Sequence, residues 1–208
     1  MCLIGFTGFQ ATKARDALLG ATVDLDSFAQ QTAAGDTVLA AASLADAQGE
    51  AETARSNTRG PGWWVASGMP AIGDDVAAVR TVAESVDTLA SEVLPDAVEA
   101  GEILSADKLR PVDGRVNLDP VTQVAPTVIA ANDAVEREHE RIAALDTTNL
   151  ISQLRGPVVE LETKLAEAAA LTDKASRAVQ LLPPMLGAEE KRTYLVLFQN
   201  NAEIRATG

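Results

Sequence analysis

Few residues of this chain have the types and spacing that metal binding requires. Glu136 and His139 stand three residues apart on a predicted helix, a spacing that lets a carboxylate and an imidazole share one metal ion in helical bundles. Such a site needs a second motif of the same kind, and His139 is the only histidine in the sequence. Charged residues flank His139 on both sides, so we interpret it as a solvent-facing helix residue and predict neither a metal nor a cofactor.

Catalytic motifs are equally scarce. An activated serine or cysteine would again depend on His139, and the sequence contains no nucleophile elbow. Residues 68–73 have the glycine spacing of a phosphate-binding loop, but Asp74 occupies the place of the phosphate-binding lysine. Two acidic pairs offer fewer ligands than Ca²⁺ needs, namely Asp24 with Asp26 and Asp74 with Asp75. We predict that this chain is not itself an enzyme.

Three polar residues near the carboxyl end are the candidate ligand-binding residues. Asn200, Glu203 and Arg205 follow a predicted strand, which is where α/β folds place ligand groups. Arg205 could hold a phosphate or carboxylate, with Glu203 orienting it. Alternatively, these side chains pair with one another at a domain junction.

Two adjacent tryptophans form the other notable feature. Trp63 and Trp64 directly follow the helix-breaking stretch 57–62, where the chain is expected to turn. Each indole carries a large apolar area, so the pair could cover the end of a slender helical bundle. The alternative is an aromatic platform for a ligand.

The composition limits the fold and the partners. Hydrophobic residues make up 47% of the 208 residues but aromatic residues only 3%, so the core must be thin, aliphatic and helical. A net charge of -13 argues against nucleic acid as a partner, because such binding depends on Lys and Arg contacts to phosphates. Cys2 is the only cysteine and cannot form an internal disulfide.

The helices that must position these residues are predicted from apolar residues spaced alternately three and four apart. The seams lie within 14–28, 38–45, 72–93, 121–145 and 158–182, with Asp36 and Asp119 as N-caps. Pro95 should interrupt the third helix, while 155–157 and Pro183 should bound the last. Sustained spacing of this kind predicts an all-α, elongated antiparallel helical bundle resembling a coiled-coil stalk, over residues 11–187.

The two ends of the chain differ from this pattern. The apolar stretch Cys2–Phe9 is interpreted as the remnant of a membrane-anchor helix at residues 1–10, or else as an apolar terminus packed on the bundle. Thr193–Phe198 is rich in β-branched and aromatic residues and predicts a single β-strand. A lone strand needs partners, so we expect residues 188–208 to begin a truncated C-terminal domain.

The sequence around this strand resembles a known family. Leu182–Gly187, Tyr194–Asn201 and Ala202–Gly208 are similar to the signature of the family called "domain of unknown function 4012". The helical part, with Trp63-Trp64 and the stretch 70–73, looks like the variable N-terminal portion of those proteins. The resemblance implies an actinobacterial cell-envelope protein with an N-terminal membrane helix, an extracytoplasmic helical region and a following domain, without an established activity.

Three functions follow as expectations. The first is an extracytoplasmic helical stalk or scaffold of the cell envelope, held at the outer face of the cell membrane through its N-terminus and presenting the missing C-terminal domain. Other envelope proteins are possible partners. The second is a sensor or ligand-binding bundle like the extracytoplasmic parts of chemoreceptors. The third is an accessory region of an envelope enzyme whose site lies after Gly208.

Overall fold

Helices form every regular element of the part of the chain that the structure describes. The structure is a computed structural model that describes residues 2–34, 36–69, 72–104, 109–110, 116–188 and 190–196, with only the backbone described at 2–12, 32, 33 and 37. In chain order the helices are α1 (Cys2–Ala34), α2 (Thr37–Thr58), α3 (Pro61–Ser67), α4 (Gly73–Thr88), α5 (Leu94–Ile103), α6 (Asp119–Ala143) and α7 (Ser152–Met185). The predicted all-α class is confirmed.

Helices α1 and α2 form an antiparallel hairpin with an alanine-lined interface. The predicted cap is confirmed, because Asp36 Oδ1 accepts a hydrogen bond from the Leu39 backbone N–H at 3.1 Å. The buried residues recur at spacings of three and four and are almost all alanine: Ala14, Ala17, Ala21, Ala40, Leu44, Ala47, Ala51 and Ala54. Small side chains let two helix backbones approach closely, which explains how so slender an interface excludes water.

Helices α4 and α5 are two parts of one interrupted helix. The turn between them, Leu89–Val93, is π-helical and lies directly before Pro95. A proline inside an α-helix lacks an N–H and its ring clashes with the carbonyl four residues earlier. Widening this one turn accommodates Pro95, so the predicted interruption takes the form of a π-bulge.

The π-bulge leaves one carbonyl without a backbone donor. The Leu94 N–H, which would reach Ala90 O in an α-helix, bonds Leu89 O instead, and Pro95 has no N–H to offer. Gln48 on α2 replaces the missing donor, since its Nε2 lies 2.9 Å from Ala90 O. Because Ala90 is fully buried, an unmet carbonyl there would be costly.

Helices α6 and α7 form the second hairpin, and here several predicted boundaries are wrong. Helix α6 begins at Asp119 itself, with the Asn117 side chain accepting from the Asp119 N–H at 3.2 Å. Helix α7 runs through Pro157, Pro183 and Pro184 instead of being bounded by them. Packing of the α7 seam on α6 outweighs the lost hydrogen bonds near its two ends, where few helical bonds depend on the missing N–H groups.

The C-terminal end of α7 is closed by the chain that follows. Gly187 has φ +85°, and the Ala188 N–H bonds Pro183 O at 2.9 Å, which together form a Schellman motif. Arg192 Nε donates to Pro184 O at 3.3 Å, and the Tyr194 hydroxyl donates to Met185 O. Residues 191–196 are irregular and exposed, so the predicted strand is not confirmed, and Leu197 and Phe198 lie outside the described residues.

The N-terminal residues belong to the first hairpin. Residues 2–10 are the opening turns of α1, which continues without a break to Ala34. Within the described ranges, no helix combines the length and the apolar character that crossing a bilayer requires. The division at residue 10 and the membrane anchor remain predictions.

The contact between Gln48 and the π-bulge predicts a coupling between two helices. Gln48→Ala should lower the free energy of unfolding by about 1–2 kcal/mol, because the buried Ala90 carbonyl loses its donor. In a Pro95→Ala background the helix can regain a backbone N–H, so the same change should cost less. Denaturant unfolding of the four proteins in this cycle measures the coupling, with exposed Gln123→Ala as the control. Equal costs in both backgrounds would contradict it.

Candidate functional site

The residues predicted from spacing do not assemble into a site within the described structure. Asn200, Glu203 and Arg205 lie outside the described residues. On α6, Glu136 is exposed and His139 is half-buried. Among the residues described, no group of three or more His, Cys, Asp and Glu side chains is placed to hold a metal ion.

The two tryptophans point into different environments. Trp63 is 5% exposed, as expected of a residue that covers the end of a bundle, whereas Trp64 is 77% exposed. The buried Trp63 Nε1 has no hydrogen-bond partner in the described structure. With one indole enclosed and its neighbour in solvent, the pair does not form a shared aromatic platform.

Asp75, one of the two acidic residues at the start of α4, fastens the second hairpin to α4. Asp75 Oδ1 accepts a hydrogen bond from the Ile151 backbone N–H at 2.9 Å, at the start of α7. In the same loop, the hydroxyl and backbone N–H of Thr148 lower the pKa of the Asp146 carboxyl. Both carboxylates therefore serve to shape a helix–helix connection.

The most concentrated group of charged side chains lies between α4 and α6, and we call it the α4–α6 charge cluster: Arg80, Glu84, Ser85, Glu138 and Arg141. Glu138 is 5% exposed and Ser85 is fully buried, with the Ser85 hydroxyl donating to Glu138 Oε2 at 2.6 Å. Arg141 Nη1 donates to both Glu138 oxygens, at 2.9 and 3.2 Å. Its Nη2 reaches Glu84 Oε2 at 2.9 Å, which links the two helices.

The electrostatics of this cluster keep the Glu84 carboxylate ionised. Partial burial would raise the pKa of Glu84, but hydrogen bonds and charge from Arg80 and Arg141 outweigh it and lower the pKa below the ordinary value of 4.5. Two arginines balance two glutamates, so the cluster as a whole is neutral. A general acid or base at neutral pH needs a pKa shifted towards 7, which is the opposite direction.

A second buried polar contact fastens α4 to α2. Asp87 is 5% exposed and accepts from Arg55 Nη1 at 2.5 Å. Asp87 and Ala83 lie on the face of α4 that meets α2, whereas Ser85 lies on the face that meets α6. Carboxylate–arginine contacts therefore hold α4 on both of these sides.

The geometry of these clusters offers no reaction chamber. Ser85 is fully buried and its hydroxyl is engaged with Glu138, so no substrate can reach it. A shallow surface depression is lined by Asp133, Glu136, Arg137 and Glu140, all of which lie on the one helix α6. Ligand sites enclose most of a ligand between several elements, and this depression does not.

Sequence reasoning missed the importance of Glu138, although a signal was present. Glu138 is a charged residue among the apolar residues of the α6 seam, and it lies three residues after Val135 and four before Ile142, which is the seam spacing itself. A charged residue at a seam position must be buried, and a buried charge requires a partner. The arginine three residues later, Arg141, was visible in the sequence, but Ser85 and Glu84 on another helix were not.

Removing Arg141 should destabilise the protein more than removing its neighbour. Arg141→Ala leaves the buried Glu138 carboxylate with Ser85 alone, so we expect a loss of about 2–3 kcal/mol in the free energy of unfolding, less than a fully buried pair because Arg141 is partly exposed. Arg137→Ala changes an exposed residue on the same helix and should cost less than about 0.5 kcal/mol. Similar losses for the two variants in chemical denaturation would contradict the assignment.

The lowered pKa of Glu84 predicts a pH dependence. A carboxyl whose folded-state pKa is lowered stabilises the protein above its ordinary pKa, and this stabilisation is lost as the pH falls through the folded value. Glu84→Gln should therefore cost up to about 1 kcal/mol at neutral pH and progressively less below pH 4.5. Unfolding curves across this pH range measure the difference. Arg80→Gln should weaken the pH dependence, and a difference that grew on acidification would refute it.

Comparison of the chain with protein-family models, with curated proteins and with solved structures yields no match. The resemblance to the "domain of unknown function 4012" family therefore remains a prediction from the residues near the carboxyl end. What this resemblance implies about location and partners likewise remains a prediction.

Proposed function

We propose that this chain is a non-enzymatic helical scaffold, a stalk on the extracytoplasmic face of a cell membrane that holds a C-terminal domain away from the surface. The observation that carries the proposal is the length of its paired helices. Helix α1 has 33 residues and α7 has 34, so each is about 50 Å long. A compact chain of 208 residues has a radius of gyration of about 17 Å, so helices of this length are expected of slender packed rods and not of a globule.

The use of its buried residues supports the same function. The fully buried side chains are mainly small, and the largest of them are Ile142, Val124, Thr58 and Ser85. A core of this kind joins helices along their length. The buried carboxylates of Glu138 and Asp87 are both engaged by arginines of the chain itself, so these groups fix helix positions.

The membrane part of the proposal rests on sequence. Cys2–Phe9 is apolar in an otherwise acidic chain, and the resemblance of the carboxyl end implies an envelope protein. Helix α1 extends that apolar stretch directly into the α1–α2 hairpin, so an anchor at the N-terminus would orient the hairpin away from the bilayer.

Two other functions receive less support. A ligand-binding bundle would need a cleft lined by both tryptophans, but Trp64 is exposed while Trp63 is enclosed. The unpartnered Trp63 N–H is the one feature that favours it, because a ligand acceptor could satisfy that group. An accessory role for an enzyme whose site follows Gly208 would use the same scaffold.

Small-angle X-ray scattering of the 208-residue chain tests the scaffold. A compact protein of this length has a radius of gyration of about 17 Å and an unfolded chain about 49 Å. We expect a value clearly above the first and far below the second, with a maximum dimension beyond the ~50 Å length of α7. A concentration series controls for association and circular dichroism for helix content. A helical monomer with a radius near 17 Å would contradict the proposal.

A further inference from the structure

Helix α7 has a second apolar face in addition to the one that packs on α6. We call it the α7 stripe: Leu171, Ala175, Ala178, Leu182 and Met185, with Leu181 and Leu186 beside it. Its leucine and methionine side chains are between 43% and 68% exposed. Ser176 and Val179 of the buried face each follow a stripe residue by one position, so the stripe lies about 100° round the helix from that face.

The spacing of the α7 stripe is that of a seam between two helices. Its residues follow one another at intervals of four, three, four and three, which is the repeat of a coiled coil. Towards the start of α7 the same face and spacing continue with three exposed charged residues, Glu160, Lys164 and Glu167. This face thus changes from charged to apolar at Leu171, and the charged part shows how the same face meets solvent. The leucines beyond it are therefore the feature that a partner helix explains.

The exposed apolar surface at the C-terminal end of α7 reaches the size that a stable interface needs. The chain after α7 returns to the helix, because the Tyr194 hydroxyl donates to Met185 O. Tyr194, Leu195 and Val196 are themselves between 61% and 85% exposed. With the five leucine and methionine side chains of the stripe they make eight large apolar side chains, each exposing on the order of 100 Å². The total of roughly 800 Å² matches one partner's share of a standard interface and exceeds the ~300–600 Å² of the largest patch on a typical monomer.

We propose that two copies of this chain associate through their α7 stripes, so that each stripe is the partner of the other. No helix of the described residues covers the stripe, as its exposure shows. A second copy offers an identical seam, and a seam of this spacing is self-complementary because its side chains pack between those of the facing helix. An extended segment, such as the chain after Val196, could cover apolar side chains but would not require a spacing of three and four. The dimer goes beyond the proposed function and does not depend on it.

The charge of α7 permits this pairing although the chain as a whole is acidic. The helix contains four acidic and four basic residues and is therefore neutral: Glu160, Glu162, Glu167 and Asp173 against Arg155, Lys164, Lys174 and Arg177. The net charge of -13 lies elsewhere in the chain, so repulsion between two copies acts over a distance at which salt screens it. Association through the stripe should consequently strengthen as the salt concentration rises from about 0.02 to 0.5 M, whereas association through ion pairs would weaken.

Analytical ultracentrifugation of the full chain tests the proposal, with a reducing agent present so that Cys2 cannot join two copies. We expect a reversible dimer with a dissociation constant of roughly 1 μM or lower. Leu171→Glu should raise that constant by at least about tenfold, because its carboxylate would be buried in an apolar seam. Leu19→Glu makes the same change at a leucine of α1 that is 53% exposed and should not alter the constant. Circular dichroism of both variants checks their helix content.

Disulfide trapping locates the contact between the two copies. In a Cys2→Ser background, Ala178→Cys places a thiol at the middle of the stripe, which meets its counterpart whichever way the two helices run. Oxidation should join the copies there, since a disulfide requires Cα atoms within about 7 Å of each other. Gln180→Cys is exposed two residues further on, about 200° round the helix, and should not be joined. Equal trapping at the two positions would contradict a contact through the stripe.

Other results would overturn the proposal and identify what replaces it. Unchanged dimerisation of Leu171→Glu would assign the association to another surface, such as the apolar N-terminal stretch. A chain that stays monomeric, and whose melting temperature falls in Leu171→Glu but not in Leu19→Glu, would show that the chain after Val196 covers the stripe instead. A monomer that is elongated in X-ray scattering would refute the dimer and leave the scaffold standing, whereas a compact chain that dimerises through the stripe would do the reverse.

Discussion

Helix α4 packs on both hairpins at once, and the arrangement of the molecule depends on its two buried faces. One face, which includes Ala78, Val82 and Ser85, meets α6 and α7, while the other, with Ala83 and Asp87, meets α2. An ion pair also joins the two hairpins directly, between Lys164 on α7 and Asp26 on α1. This pair is exposed, and its nitrogen and oxygen atoms are 3.9 Å apart. Since an exposed pair contributes little, the relative position of the hairpins is set by the packing of each on α4.

Packing on small side chains alone would leave that position poorly specified. Where alanines repeat every three and four residues, sliding one helix along another by a heptad exchanges one alanine contact for an almost identical one. A buried carboxylate removes this freedom, because it has to meet its arginine. Asp87 with Arg55 fixes α4 against α2, and Glu138 with Ser85 and Arg141 fixes it against α6. The polar contacts thus supply register, and the apolar area supplies the attraction.

Much of this fold could be predicted from sequence, because the helices follow from apolar spacing, capping residues and prolines that can be recognised locally. The seams, the Asp36 cap and the interruption at Pro95 each follow from a few neighbouring residues. Where the outcome depends on residues far apart in the chain, sequence reasoning failed. Helix α7 continues through Pro183 because packing and the cap after it compensate, and α4 has two faces where the spacing suggested a single seam. None of the residues of the α4–α6 charge cluster was predicted to form a site, and the buried Glu138 was missed because its partner Ser85 comes from another helix.

The direction of the pKa shift of Glu84 and the hydrogen bonds of Glu138 also bear on function. An active site leaves some polar groups unsatisfied and facing a cleft, and shifts their pKa values towards the working pH. Here Glu84 is shifted away from neutrality by two arginines, and Glu138 is enclosed with its hydrogen bonds made inside the protein. The ionised form of Glu84 is therefore the one that holds helices together, and its protonation would loosen the bundle instead of assisting a reaction. That coupling of charge to helix position is what a scaffold needs and what a catalytic carboxylate must avoid.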